Sequence, residues 1–342
     1  MSDIPILVDL HENIYFDEEK GEVVILDRRQ LPENVTYHRS KTYEEVAKAI
    51  ENMVTQSLGV SPAAGYGVVL AAYNTKNKEP DKKRNHIHKA IKRMKNTRPT
   101  QTSLHHLVDE MSDITNETIK NDGDVFNTLK TTAYNWTDHI LSISKDMGRH
   151  ASKKVEDGDT ILTHCYGGPA IYFTGHYARK NGKNVDFYVS ETRPYLQGAR
   201  LTSFALKEGH FDVTLITDGM PAHCMQEGKI DKFITGADRI SMDGGVANKI
   251  GTYQIALAAD KYNIPFYAHS YDGPDRDTPT WKHVEIEERN PEEIFNIKNE
   301  RIAPRGIKGY YPAFDCTPPE LVEGVITENG IYKPENVQKH FK

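Results

Sequence analysis

Cysteine is scarce in this chain of 342 residues: only Cys165, Cys224 and Cys316, an odd number at wide spacing. That excludes a disulfide framework and a CxxC metal pair, and it fits a reducing compartment, so a cytoplasmic protein is expected. Long apolar runs are missing as well. None approaches the roughly 20 residues of a membrane-spanning helix, and the start, MSDIPILVDLHENIYFDEEK, lacks the basic, apolar and small-residue order of a secretory signal. Nor is there an excess of basic charge. Lys and Arg number 43 against 49 Asp and Glu, a formal net charge of -6, which removes the broad electrostatic pull on nucleic acid. The one basic stretch, from Lys76 to Lys95, reads as a solvated helix face. The 15 histidines form no HExxH or similar spacing, so no metal is expected. There is no GxSxG, no GxxxxGK[ST] and no GxGxxG after a predicted strand, so hydrolase, nucleotide triphosphatase and dinucleotide readings lose their main support.

What is present is an ordinary soluble composition, 37% hydrophobic and 27% charged, on a chain long enough for two domains. The division is expected near residue 150. The first domain, 1–150, opens with two strand-like runs, ILV and EVVILD, separated by a turn-prone segment from Glu18 to Gly21. Thr42 followed by Glu45 gives a capping box, and Val46, Ile50, Met53 and Val54 recur at helical spacing. Residues 62–73, PAAGYGVVLAAY, predict a helix buried on all sides. Another helical stretch leads to Arg98, which Pro99 biases away from helical geometry. Residues 124–155 read as one or two long helices.

From Gly158 the pattern becomes strand and helix in alternation: TILTHC, VDFYVSE, VTLITD, KFITGAD and IPFYAHS, with helices between. This predicts an α/β, doubly wound domain over 151–342. Each run stops at a polar residue, namely Cys165, Glu191, Asp218, Asp238 and Ser270. In a parallel sheet the carboxyl ends share one edge, so these breaks gather into one crevice.

Cys165 precedes Gly167, Gly168 and Pro169, where a helix is about to start. Unpaired backbone amides there would lower its pKa and let the glycines cradle a phosphate; an inert, buried cysteine is the competing interpretation. Asp238 reads either as a proton donor in a dry site or as the partner of Arg239. In ETRPYLQGARL, two arginines and Gln197 suit phosphate or sugar oxygens. Asn248 and Lys249 fall at the expected start of the helix NKIGTYQIALAA, where Lys249 suits a phosphate.

Together, ILTHC at 161–165, ETRPYLQGARLT at 191–202, GADRI at 236–240, VANKIGTY at 246–253 and YPAFDCTPPELVEGVITENGI at 311–331 strongly resemble the 5-methylthioribose-1-phosphate isomerase family. That family is related to ribose-1,5-bisphosphate isomerase and to the regulatory subunits of initiation factor two-B. The likeness extends to VILDRRQLP near the start, to TRPTQTSL at 97–104 and to HVEIEERNPEEI at 283–294. The resemblance implies a cytoplasmic homodimer acting in methionine salvage. Its N-terminal domain would be mixed and mainly helical, and its Rossmann-like C-terminal domain would bind no dinucleotide. It implies Cys165 and Asp238 as the catalytic pair, with substrate contacts at Arg98, Gln197, Asn248 and Lys249, and no cofactor. The implied reaction turns an aldose 1-phosphate, 5-methylthioribose 1-phosphate or 5-deoxyribose 1-phosphate, into the ketose 1-phosphate. Ribose 1,5-bisphosphate is the alternative substrate, and a non-catalytic, sugar-phosphate-sensing protein is the alternative class. Two positions depart from the family pattern: Gln56, Ser57, Leu58 and Gly59 stand where an Arg-Gly-Ala sequence is usual, and Tyr166 stands where asparagine is common.

Overall fold

The computed structural model describes residues 4–99, 101–298 and 300–342. The chain divides into two compact units, Ile6–Ser142 and Ile143–Lys342, and Ile4 and Pro5 group with the second.

In the first unit a one-turn helix α1 (Leu10–Asn13) leads into β1 (Ile14–Asp17), which pairs antiparallel with β2 (Glu22–Leu26), and β2 pairs in turn with β3 (Tyr37–Ser40). The hairpin turns between Asp17 and Glu22 as the sequence suggests, but its first strand is IYFD rather than ILV, whose residues lie in turns. Ile14, Tyr15 and Phe16 are strong strand formers directly beside the turn, so pairing them closes a much shorter loop than pairing residues 6–8 would. Helix α2 (Tyr43–Glu51) carries the expected capping box: Glu45 N donates to Thr42 Oγ1 at 3.2 Å, and Thr42 N donates to Glu45 Oε2 at 3.2 Å. Helix α3 (Val60–Tyr73) is buried from Val60 through Ala72, and small residues let α2, α4 (Pro80–Lys95) and α5 (Thr102–Lys120) pack against it. The basic stretch lies largely along α4, which turns Ile87, Ala90, Ile91 and Met94 inward. Arg93 reaches Glu44 and Glu51 at 2.8 and 2.7 Å. The single long helix α6 (Val125–Ser152) runs across the division between the units.

The second unit is built on a seven-stranded sheet. Its elements in chain order are β4 (Thr160–Thr163), α7 (Pro169–Lys180), β5 (Asp186–Ser190), α8 (Ser203–Glu208), β6 (Val213–Ile216), α9 (Pro221–Gln226) and β7 (Lys232–Gly236). Then come β8 (Arg239–Ile240), β9 (Val246–Lys249), α10 (Thr252–Lys261), β10 (Phe266–His269), a small hairpin β11 (Asn296–Ile297) and β12 (Glu300–Arg301), β13 (Phe314–Thr317), β14 (Gly324–Thr327) and β15 (Gly330–Tyr332). The order across the sheet is β15-β14-β10-β7-β4-β5-β6, parallel throughout except for β15. The chain winds outward from β4 through β5 to β6, then returns to lay β7 on the other side of β4. A crevice opens outside the carboxyl ends at such a reversal, because the loops from the two flanking strands leave in opposite directions. Phe187, Phe233 and Phe266 are fully buried in this unit's core, as strands covered on both faces require.

A second, three-stranded sheet of order β13-β9-β8 has no counterpart in the simple alternation read from the sequence. It corrects one expectation. Asn248 and Lys249 end a strand, and the helix begins only at Thr252, because Gly251 at φ 106° turns the chain between them.

Candidate active site

The two strands flanking the reversal end at the two residues of most chemical interest. β4 and β7 are hydrogen-bonded neighbours, with Leu162 opposite Phe233; Cys165 follows one and Asp238 the other. Their ends touch closely. A Cβ on Gly236 would lie 2.9 Å from Gly167 Cα, and one on Gly167 would lie 2.9 Å from Gly236 N, so the smallness of Gly167 is already used in backbone packing. Thr235 Oγ1 donates to His164 O at 2.7 Å and ties the two strand ends together.

Cys165 is held in a left-handed conformation, φ 62°, and so is Thr192, φ 65°, which is costly for a β-branched residue. Hydrogen bonds enforce both. Cys165 N donates to Thr192 Oγ1 at 2.9 Å, Thr202 Oγ1 donates to Cys165 O at 2.6 Å, and Asp218 accepts from Thr192 N and Arg193 N at 2.8 and 2.7 Å. Beneath them, buried His164 bridges strands. Its Nε2 faces the Ile250 carbonyl at 3.0 Å, which only accepts, so Nε2 carries the proton and Nδ1 accepts from Ser190 Oγ at 2.6 Å.

Cys165 is half-buried and Asp238 meets solvent, yet protein packs densely around both. Burial pushes the Cys165 thiol up to about 11, the carboxyl of Asp238 adds to that push, and Lys249, the Tyr166 amide and Arg289 oppose it. The depressed thiol expected from its place before a helix is therefore not found. Helix α7 starts four residues later, at Pro169, and desolvation outweighs the amides and cations nearby. Burial also raises Asp238, against the pull of Lys249 and Arg289; solvent access tempers that shift.

Lys249 is buried, and its ammonium lies 4.0 Å from the centre of the Phe314 ring, its register partner on β13. Burial lowers its pKa, while Cys165 and Asp238 pull it back up. Among the described residues no carboxylate lies within ion-pair distance of it. Because faces alternate along a strand, Asn248 is turned the other way. Its Nδ2 donates to Thr252 Oγ1 at 2.9 Å, and its register partner Asp315 caps α10 by accepting from Gly251 N at 2.7 Å and Tyr253 N at 3.2 Å.

Gln197 is buried at the start of a π-turn, Gly198–Thr202, and its Oε1 accepts no hydrogen bond from the described residues. Only glycine fits at 198, since a Cβ there would sit 1.8 Å from Ser190 O. Arg193, a candidate anion binder from the sequence, instead clamps the chain by donating to the carbonyls of Ile294 and Asn296 at 2.9 Å. Arg98 belongs to the first unit, where its Nη2 donates to Ile50 O at 2.9 Å. Gln56 is buried in that unit too, and its carbonyl accepts from the fully buried Arg28 at 2.7 Å.

One charged pair near the thiol was not singled out from the sequence. Arg289 is bound bidentately by Glu287, at 3.0 and 3.2 Å, with its guanidinium 5.7 Å from the Phe314 ring. A charge two residues from its counter-charge looks like surface pairing in a sequence; only the fold of the 287–314 stretch brings it to Phe314.

Known proteins resemble this chain over nearly its whole length. The family model described as "Initiation factor 2 subunit family" matches residues 54–334. A methylthioribose-1-phosphate isomerase from Thermosipho africanus is 37% identical, with 94% of this chain and 96% of that protein covered. Among solved structures, 5-methylthioribose 1-phosphate isomerase from Pyrococcus horikoshii has a TM-score of 0.89 at 31% identity, covering 100% of this chain and 98% of that one. The translation initiation factor eIF-2B subunit delta from A. fulgidus has a TM-score of 0.85 at 34% identity, covering 96% and 98%. With these matches running through both compact units and through every segment of the crevice described above, this chain belongs to the 5-methylthioribose-1-phosphate isomerase family, within the broader initiation factor 2 subunit family.

Proposed function

We propose that the protein converts 5-methylthioribose 1-phosphate, or its 5-deoxyribose analogue, into the corresponding ribulose 1-phosphate as a cytoplasmic homodimer in methionine salvage. Residues 151–342 serve as a Rossmann-like catalytic domain. The observation carrying this reading is that Cys165 and Asp238 directly follow the two adjacent strands at the sheet's reversal, with the cation of Lys249, which has no carboxylate within ion-pair distance among the described residues, acting on both.

The phosphate on carbon 1 locks the sugar as a ring, so the ring must open before any carbonyl exists. Asp238, in its protonated form, gives its proton to the ring oxygen as the bond from carbon 1 breaks. Cys165 as thiolate takes the hydrogen of carbon 2 as a proton, leaving an enol phosphate across carbons 1 and 2. The thiol then returns that proton to carbon 1, while the hydroxyl on carbon 2 gives its own to the Asp238 carboxylate. The ketone forms at carbon 2 and both groups end as they began. Lys249 suits the phosphate as a buried point charge, Gln197 brings a buried acceptor, and Asn248 is a further substrate contact carried over from the family.

The test is phosphorus and carbon NMR of the purified protein with 5-methylthioribose, 5-deoxyribose and ribose 1-phosphates and with ribose 1,5-bisphosphate, in heavy water. A ketose 1-phosphate carrying solvent deuterium at carbon 1, absent with Cys165→Ser, is expected. Full retention of the migrating hydrogen would replace the proton route with a hydride shift. The likeness to an initiation-factor subunit favours a second reading, a non-catalytic sugar-phosphate sensor. Ligand binding without turnover, unchanged in Cys165→Ser, would establish that instead.

A further inference from the structure

The stretch that carries Glu287 and Arg289 is fastened to the small sheet as an extra edge. Arg289 N donates to Tyr311 O at 2.9 Å, Ala313 N donates to Glu287 O at 2.8 Å, and Glu288 bridges antiparallel to Pro312. Ala313 in turn accepts from Ile250 N at 3.1 Å, next to Lys249. Two cations therefore share the Phe314 ring, Lys249 at 4.0 Å and Arg289 at 5.7 Å, but they differ in kind. Lys249 is buried and, among the described residues, has no carboxylate within ion-pair distance. Arg289 is half-buried and bidentately paired with Glu287, whose side chain is 52% exposed.

We propose that Arg289 and Glu287 form a positioning pair that, together with Lys249, sets how readily Cys165 ionises: Arg289 supplies positive charge and Glu287 attenuates it. The inference rests on the reading of Cys165 as the group that moves the proton. Charged and titratable groups meet at the site from each surrounding segment. Lys249 comes from β9, Asp238 from the loop after β7, Arg289 and Glu287 from the added edge, and Tyr311 from the segment just before β13. Glu293 also acts on Arg289 and Tyr311. The two halves of the pair oppose each other. Arg289 favours the thiolate, whereas Glu287 supports the positive form of Arg289 and a protonated Asp238. Coulomb interaction through such a crevice is worth about half to one pH unit on a thiol.

The full chain with Cys224→Ser and Cys316→Ser leaves Cys165 as the one thiol, and iodoacetamide alkylation between pH 7 and 10 reads its thiolate fraction without any substrate. Arg289→Gln is expected to slow alkylation about three- to ten-fold at fixed pH, and Glu287→Gln to speed it about two- to five-fold by leaving Arg289 uncompensated. The double variant, neutral at both positions, returns near the parent. Should Arg289→Gln fail to fold, Arg289→Lys keeps the charge without the fork, and its rate is expected within about two-fold of the parent. Two single variants that slow alkylation together, or that leave it unmoved, would overturn the proposal, since a purely structural pair has no reason to push the thiol in opposite directions. Because alkylation needs no turnover, absence of a ketose product in the NMR assay would refute the isomerase reading and leave this measurement standing.

Discussion

The chemistry proposed needs Asp238 with its proton and Cys165 without its own. Burial raises the carboxyl and pushes the thiol up to about 11, so it favours the first state and opposes the second. At neutral pH the thiolate is the scarce form. In the chain with Cys224→Ser and Cys316→Ser, the rate of alkylation is expected to go on rising with pH toward a midpoint near 11; a plateau near pH 8 would contradict the burial of Cys165. Asp238→Asn and Cys165→Ser are each expected to lower kcat by roughly 10²–10⁴ with a smaller change in KM, measured by steady-state kinetics.

Elements place these residues, and their joints are the sensitive points. The ends of β4 and β7 approach as bare backbone at Gly167 and Gly236. Gly236→Ala is expected to cost about 1–3 kcal/mol in urea unfolding and, by spreading those ends, to lower kcat further than the stability loss accounts for. Equal activity at full occupancy of the folded state would refute this. At the start of α10, burial raises Asp315 to about 6 even though two backbone amides favour its charged form. The folded pKa lies above the unfolded one, so the folded state binds more protons between about pH 4 and 6, and stability falls as pH rises through that window. The shift corresponds to a loss of up to about 3 kcal/mol from pH 4 to 7, to be read from urea curves against Asp315→Asn, in which that pH dependence disappears. The α2 cap is a simpler case: Thr42→Ala is expected to cost about 1 kcal/mol.

At the scale of the whole molecule, substrate binding and stability are linked. A sugar phosphate at about 100 times its Kd adds about 2.7 kcal/mol to the folded state. For a chain of this length that is a rise in Tm of a few degrees, visible in differential scanning calorimetry of the full protein. Lys249→Gln is expected to reduce that rise, because it removes the buried charge proposed to face the phosphate while leaving the Phe314 packing in place. An undiminished rise would assign the phosphate elsewhere. No helix among the described residues is long and apolar enough to cross a membrane.

Local pattern was enough for the parallel strands from Thr160 to His269, the capping box at Thr42, the buried α3 and the placing of Cys165 and Asp238 at strand ends, since periodicity and cap chemistry involve residues close in sequence. It failed where distant segments compete. The first hairpin strand went to IYFD because loop closure favoured it over ILV. Lys249 went to a strand because β13, more than sixty residues later, supplies its partner. The sequence by itself thus determined the mixed α/β architecture with its mostly parallel sheet and the family, and it named candidate reactive groups. Only tertiary structure decided their electrical state: that desolvation outweighs the helix start at Cys165, that Asn248 faces α10 while Lys249 faces Phe314, and that Arg289 joins the site. Ionisation depends on everything packed within a few ångströms, and no stretch of local sequence contains that information.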